Sequence, residues 1–479
     1  MAQDIPAFRI AGNLYFVGTY EASSHLIDTG DGLILIDTGY ERTADVVVKG
    51  IAELGFDVKD VKIILHSHGH YDHTDGTPKV VALCGAKTYL GEADLRYLRG
   101  RFVPDVWLHD GDVIRLGNTE ILCLATPGHT EGTFSFFWNL TENGKTYRAG
   151  TFGGAGTKQL TKDFLNERDL SWRQRGHFFE SIERLKGEHV DIFIGNHAWQ
   201  NDTPGNYEKS LTSDTNPFID DSRWLPFLEE CKQKLLRVIQ EESSTHFVNY
   251  AHRGASEYNP ENTMMSFYAG MAMGANGIET DVQLTKDGVP VLFHDDTLVR
   301  VTGEEGGIPD YTLDELMRFR VKKGELYDRI VTLEDFLAHF AYRPITFAIE
   351  LKNPAAAHQT ADMVRKFGIQ AKSVITSFNF GALQTVRAYA PELHTGYLVV
   401  KVTDEVIAKM EAEGIEELCP KAVEVTPERV AEWHGMGYNV RAWGVSNTDL
   451  MRSVCEAGAD GMTINFPDKL TEYLKKNEN

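Results

Sequence analysis

The sequence predicts an α/β chain in two parts, a helix-flanked, strand-rich half followed by a (β/α)8 barrel. Three observations carry that reading. The 479 residues correspond to two to four domains at the usual ~100–200 residues each. Short apolar runs broken by Gly and Asp turns fill the beginning of the chain. From Phe247 onward, short apolar strands recur between helix-length segments.

Residues 13–38 contain the runs NLYFVGTY, ASSHLIDTGDG and LILIDTG, and the Asp-Thr-Gly-Asp-Gly step at 28–32 is a hairpin signal. Helix-like stretches are expected at 41–54 and 91–99, and strands at 61–65 and 119–125. Strands first and helices interleaved later suggest sheets flanked by helices. Near 222–242, Trp224, Leu225, Phe227, Leu228, Leu235, Leu236 and Ile239 recur at helical spacing. The following EESSTH breaks the pattern, which places a boundary near 243–246 and divides the chain into 1–244 and 245–479.

The second half predicts eight strands, at 247–251, 277–282, 345–351, 373–378, 394–400, 417–420, 439–443 and 461–465. Residues 290–296 follow the second strand after only Thr285-Lys286-Asp287-Gly288, too short for a parallel crossover, so they are expected to return as a hairpin arm. Residues 303–340 are left over as a candidate substrate-selecting cap.

Composition narrows the function. Hydrophobic residues make up 42% of the chain and charged residues 25%, an ordinary globular balance. A formal net charge of −22 argues against a nucleic-acid partner, which needs a basic footprint. No run of ~20 apolar residues could span a bilayer, so no stable membrane insertion is expected. The start MAQDIPAFRI has no secretory pattern, and Cys84, Cys123, Cys231, Cys419 and Cys455 form no Cys-x-x-Cys pair. They read as buried small hydrophobes in a reduced compartment, and a cytoplasmic enzyme of small-molecule substrates is the expectation.

Directly after the strand VKIIL stands His66-Ser67-His68-Gly69-His70-Tyr71-Asp72-His73. Four histidines and an aspartate at a strand end make little sense as packing, whereas imidazole and carboxylate are the usual ligands of borderline divalent metals. The pattern His68-x-His70-x-Asp72-His73 resembles the metallo-β-lactamase superfamily, together with Leu35-Ile36-Asp37-Thr38-Gly39, Thr126-Pro127-Gly128-His129-Thr130 and Gly195-Asn196-His197. The resemblance covers about residues 8–242 and implies an αββα sandwich holding two Zn2+, one on His68, His70 and His129, the other on Asp72, His73 and His197. Asp72 would also orient the nucleophile, and Asp37 would support the ligands from behind. His66 has no motif role and reads as a supporting or surface residue. Many members carry a metal-bridging Asp where Arg148-Ala149-Gly150-Thr151-Phe152 has Thr151. Its absence resembles the histidine-rich β-lactamase subclass and makes the thioesterase and RNA-processing branches less fitting.

In the second half, acids and histidines sit at predicted strand ends, where barrel enzymes keep their chemistry: His252-Arg253-Gly254, Glu279-x-Asp281, His294-Asp295 and Glu350-x-Lys352. Alternation puts Glu279 and Asp281 on one side of their strand, and converging carboxylates imply a divalent cation. With Pro260-Glu261-Asn262-Thr263, Asp460-Gly461 and Pro467-Asp468, the ordered set resembles the glycerophosphodiester phosphodiesterase family over about 247–475. That resemblance implies Mg2+ or Ca2+ on Glu279, Asp281 and Glu350, His252 and His294 as the general acid/base pair, and Arg253 and Lys352 on phosphoryl oxygens. Pro260 and Glu261 are expected to start a helix, Asn465 to stay away from the metal, and Trp443 to line the pocket mouth or pack in the core. The leading reading is a bifunctional hydrolase. In the alternatives both domains act in turn on phosphodiester or phospholipid-derived substrates, or one domain is a noncatalytic regulatory module.

Overall fold

The computed structural model describes residues 5–243 and 247–477, and its contacts separate two compact units, 1–237 and 238–479. The expected boundary at 243–246 lies mostly outside the described residues.

The first unit is built on two sheets. One holds β1 (Phe8–Ala11), β2 (Leu14–Phe16), β3 (His25–Asp28), β4 (Leu33–Ile36), β5 (Val61–Leu65), β6 (Lys87–Gly91) and β7 (Val106–Leu108) in chain order. The other holds β8 (Asp112–Leu116), β9 (Thr119–Ala125), β10 (Phe134–Glu142), β11 (Lys145–Thr151) and β12 (Ile192–Phe193), ordered from β12 to β8. Alternation explains why their strands are apolar on both faces. Ile34, Ile36, Ile63 and Leu65 meet Ile121, Phe136 and Trp138 between the sheets. Leu33, Leu35 and Ile64 face outward onto Val47 and Ile51 of helix Ala44–Glu53 and Val80 of helix Thr77–Cys84. On the far side, Phe193 packs against Phe227 of helix Trp224–Ser243, ring centroids 4.4 Å apart and tilted by 36°. The layers are therefore helix, sheet, sheet, helix.

The hairpin at 28–32 joins β3 and β4, closed by Thr29 N–H and Oγ1 donating to the Gly32 carbonyl, with Gly30 at φ 81° and Gly32 at φ 129°. The stretch at 91–99 is not an α-helix. Glu92–Leu98 coils as 3-10 turns, pinned by buried Asp94 to the loops at Gly69 and Gly132.

The second unit is a closed parallel barrel. Its staves are β13 (Val248–His252), β14 (Gly277–Leu284), β19 (Thr346–Leu351), β20 (Ser373–Ser377), β21 (His394–Val399), β22 (Glu417–Pro420), β23 (Asn439–Val445) and β24 (Gly461–Ile464), with β13 paired to both β24 and β14. The expected hairpin arm is β15 (Pro290–Leu292), antiparallel to β14. Tyr250, Ala348, Val374, Cys419 and Arg441 occupy the interior register, and Ile278, Phe347, Ile349 and Ile375 point to the surrounding helices.

The expected cap needs correction. Residues 298–330, with the small hairpin of β16 (Val321–Lys323) and β17 (Leu326–Asp328), form a satellite cluster around Leu298, Ile308, Leu316 and Ile330. The chain then rejoins the barrel through β18 (Val331–Thr332), which pairs with β15, and helix Leu333–Phe340. That helix buries Leu333, Phe336, Leu337 and Phe340 in the barrel core, a helical i, i+3, i+4, i+7 face. The residues lining the barrel cavity come from strand ends and the loops beside them, none from 303–340.

Three cysteines are buried, but Cys84 and Cys455 are half-buried, and all five are free thiols. Among the described residues, no helix is long and apolar enough to cross a membrane.

Candidate metal centres

β5 ends at Leu65, and the histidine segment that follows it directly places His70 and Asp72 in the wall of a cavity. Ligating atoms of His68, His70 and His129 lie within 4.8 Å of one another, as do those of His68, Asp72 and His73. His70 Nδ1 is 3.1 Å from His129 Nε2, close to the ~3.3 Å edge of a tetrahedron with ~2.0 Å bonds to nitrogen. His197 Nε2 is 4.0 Å from Asp72 Oδ2, and His73 Nε2 is 3.4 Å from the same oxygen. The structure thus brings all six predicted residues together.

What orients the rings is mostly backbone. His68 Nδ1 bonds the Gly153 carbonyl at 2.8 Å, His129 Nδ1 that of Gly156 at 2.8 Å, and His197 Nδ1 that of Glu21 at 2.6 Å. Each contact makes Nδ1 the protonated nitrogen and leaves the Nε2 lone pair for the cleft. Asp37 does the same for His73 at 2.8 Å and also accepts Ser67 N–H at 2.8 Å and Ser67 Oγ–H at 2.7 Å. It holds φ 57° to do so, a strained backbone for a non-glycine residue. His66 is fully buried against Thr77 Oγ1 at 3.1 Å, which removes the surface reading. Thr151 is buried at the end of β11, immediately before the Phe152-Gly153 turn that supplies the carbonyl to His68.

Burial lowers the pKa of His129 and His197 to about 4 and that of His68 well below its ordinary value. For His73 burial works the same way, but Asp72 and Asp37 outweigh it and hold the pKa up at about 10. Asp72 in turn is held low, the surrounding imidazoles overcoming its own burial. Neutral His68, His129 and His197 with free lone pairs, and a buried His73 Nε2 that has no hydrogen-bond partner and would lose its proton to a metal, are the donor set a divalent metal needs.

In the barrel, Glu279 and Asp281 share the inner face of β14, and Glu350 stands opposite Asp281 on β19. Their carboxylate oxygens lie within 4.8 Å of one another and are buried. Burial, reinforced by the neighbouring acids, raises Glu279 far above the carboxylate range and lifts Glu350 to about 7. Asp281 is also buried, but Arg253, His294 and Lys352 outweigh that and lower it. Lys352 Nζ sits 2.8 Å from Glu350 and 3.9 Å from Asp281, and Arg253 Nε 3.1 Å from Asp281. Arg253 reaches inward from a left-handed backbone, φ 54°. Like-charged oxygens this close, with one buried Asp281 oxygen unpartnered, fit a hard divalent cation.

The cavity above, about 190 Å³, is also walled by His252, His294, Phe378 and Trp443. Trp443 therefore lines the pocket, its indole N–H bonded to the Val399 carbonyl at 3.1 Å. Asn465 stays off the acids but accepts His252 Nδ1–H, an orienting contact that residue type alone did not signal. Thr263, not Pro260 or Glu261, caps helix Met264–Ala272, accepting Ser266 N–H, and Glu261 is free to bind Arg253 at 3.0 Å and Arg300 at 2.6 Å. Buried Arg441, tied to Glu417 at 2.6 Å, also reaches this cavity and was missed because a buried arginine looks like any other in sequence.

Two metal-ligand sets on two different scaffolds define a chain of hydrolase domains. Residues 17–163 match the metallo-beta-lactamase superfamily, and residues 252–469 match the glycerophosphoryl diester phosphodiesterase family. Through its barrel the chain belongs to that phosphodiesterase family. It is 32% identical over 238 residues to a glycerophosphodiester phosphodiesterase of Caldanaerobacter subterraneus subsp. tengcongensis, covering 47% of this chain and 97% of that protein. It is 34% identical over 240 residues to protein YqiK of Bacillus subtilis, covering 47% of this chain and 98% of that one. Among solved structures, the native FEZ-1 metallo-beta-lactamase of Legionella gormanii is 29% identical, covers 51% of this chain and 99% of its own, and superposes with a TM-score of 0.46.

Proposed function

We propose that the chain is a bifunctional metal-dependent hydrolase whose barrel cleaves glycerophosphodiesters to glycerol 3-phosphate and an alcohol. The convergence of Glu279, Asp281 and Glu350 beneath His252 and His294 in one cavity supports this most directly, alongside the family membership. The three acids would hold Mg2+ or Ca2+, which when bound neutralises them and the phosphodiester oxygens. His252 keeps its proton on Nδ1 through Asn465, and burial beside Arg253 lowers its pKa to about 4. Its Nε2 is therefore a free base for the attacking hydroxyl. His294 is oriented by Asp295 at 2.7 Å and returns a proton to the leaving oxygen. Arg253 and Lys352 meet the phosphoryl oxygens as charge develops.

The first domain is a dinuclear zinc hydrolase in this reading, with His68, His70 and His129 on one ion and Asp72, His73 and His197 on the other. Its target is an ester, lactone, amide or β-lactam-like bond, and Asp72 orients the attacking water. Zinc, when bound there, would lower the pKa of that water and polarise the scissile carbonyl.

The test compares the intact protein with His68→Ala and His294→Ala on glycerophosphocholine and on an ester and lactam panel. His294→Ala is expected to lose about 10²–10⁴-fold in phosphodiesterase rate and keep the ester activity. His68→Ala should do the reverse. Phosphodiesterase activity untouched by His294→Ala removes the barrel assignment.

A further inference from the structure

We infer that the substrate of the first domain carries a phosphate group, a polyanionic phosphomonoester attached to the bond that is cleaved. This rests on reading that domain as a metallohydrolase and goes further by naming the substrate's charge class.

A cavity of about 470 Å³ opens over His70 and Asp72, with its outer wall made by the segments around Arg96 and Lys158–Leu170. Its lining carries Arg96, Arg99, Lys158 and Arg168 against a single carboxylate, Asp72. The chain as a whole has 70 acidic and 48 basic residues, so a cation-rich mouth runs against its composition. Such a mouth focuses field on one spot and draws anions to it.

These cations are largely uncommitted. Arg96 is engaged, 3.3 Å from Glu131 and 3.1 Å from the Tyr97 hydroxyl. Arg99, by contrast, feels Asp75 only at a distance, and that acid already pairs with Arg101 at 2.8 Å. Arg168 lies 4.9 Å over the Phe164 ring, a contact that leaves the guanidinium N–H groups free of any carboxylate among the described residues. All three of Arg99, Lys158 and Arg168 are exposed at the rim.

Charge counting decides between anions. A lone carboxylate presents one charge and two acceptor atoms, leaving most of this rim unused. A phosphomonoester presents nearly two charges and three acceptor oxygens, and arginine forks match them two at a time. Phe164, Leu170 and Tyr97 supply apolar surface for the rest of the molecule.

The experiment measures binding of phosphoglycolate and of glycolate to the zinc-loaded full-length protein by calorimetry. The same titrations are run on Arg99→Gln, Lys158→Gln and Arg168→Gln, with zinc content recorded for each. Wild type is expected to bind phosphoglycolate about tenfold more tightly than glycolate. Each substitution should weaken phosphoglycolate by about threefold to tenfold and glycolate by less than about twofold, with zinc content unchanged. A parallel steady-state series uses 4-nitrophenyl esters of acetic and phosphoglycolic acids, and only the second should show a KM that rises steeply with salt. Equal affinity for the two acids, or equal effects of the substitutions on both, overturns the proposal. Wild-type protein that takes up no zinc would strike the metallohydrolase reading instead, and the calorimetry would still decide the anion preference.

Discussion

Replacing Asp37 by Asn tests the claim that hydrogen bonds behind the first centre choose which nitrogen of each imidazole is free. Asp37 Oδ2 accepts both His73 Nδ1–H at 2.8 Å and Ser67 Oγ–H at 2.7 Å, while Oδ1 accepts Ser67 N–H at 2.8 Å. An amide is nearly isosteric, but one of its two ends is a donor. With its oxygen toward Ser67 N–H, the NH2 faces His73 Nδ1, which must then surrender its proton and place it on Nε2. His73 in that tautomer has no lone pair for a metal. With the amide flipped, the NH2 opposes the buried Ser67 N–H, an unmet pair costing about 1–3 kcal/mol. In the first orientation the loss falls on the ion that Asp72, His73 and His197 would hold, and disrupted orienting contacts of this kind lower metal affinity about 10–100-fold. That corresponds to about 1.4–2.7 kcal/mol. The assay is a zinc titration against a chelating dye, which resolves two binding steps per chain, backed by elemental analysis after dialysis. The weaker step should move by that factor, and the step belonging to His68, His70 and His129 by much less. Two steps unchanged within about threefold would refute the tautomer argument.

Asp94 gives a pH dependence of stability. Burial raises its pKa to about 6 against the pull of Thr130, Gly69 and Gly132, above the ~3.9 of an unfolded chain. The folded protein therefore holds this proton longer. The benefit is full below pH ~4 and fades as pH rises through 6, by about 3 kcal/mol in all. The stability gap between wild type and Asp94→Asn should shrink in that window, read from urea midpoints of the first domain, and a pH-independent gap contradicts the assignment. In the barrel, Phe336→Ala removes a fully buried ring 4.6 Å from Phe267 and should cost about 3–5 kcal/mol, seen as a lowered midpoint for the barrel transition alone. Arg300 ties Asp295 to Glu261, with Nε 2.5 Å from Asp295 and the terminal nitrogen 2.6 Å from Glu261. Arg300→Ala should lower kcat for the phosphodiester about tenfold by loosening the carboxylate that orients His294, with KM little changed. A rise in KM alone would instead make Arg300 a substrate contact.

The barrel was legible because each stave obeys two periods at once, alternation along the strand and a helix-length gap before the next. Glu279 and Asp281 could be placed on one face from that alternation alone, as could the hairpin return of β15. The histidine cluster was legible from its spacing at a strand end. What escaped is what has no residue-type signature. The carbonyls of Glu21, Gly153 and Gly156 orient three histidines, yet any residue could offer them. Asp94, Asn465 and Arg441 act through distant partners that only the fold brings near. The cap was overextended for another reason: the amphipathic face Leu333, Phe336, Leu337 and Phe340 was present in the sequence but was absorbed into a leftover segment. The cationic mouth draws on two segments far apart in the chain, and neither is basic enough alone to stand out.

Each centre also sets the charge of what it can hold. In the barrel, Arg253 and Lys352 cancel two of the three charges on Glu279, Asp281 and Glu350. A divalent cation bound there would leave the site one positive charge, which suits a phosphodiester and its single negative charge. At the first centre burial keeps His68, His129 and His197 neutral, so two divalent ions against Asp72 and Asp37 would leave a larger positive surplus before the rim of Arg99, Lys158 and Arg168 is added. A monoanion would leave that surplus largely unmatched, whereas a dianion would not. Charge, more than shape, is therefore expected to sort substrates between the two domains: glycerophosphodiesters with one charge to the barrel, and phosphate-bearing esters with two to the first domain.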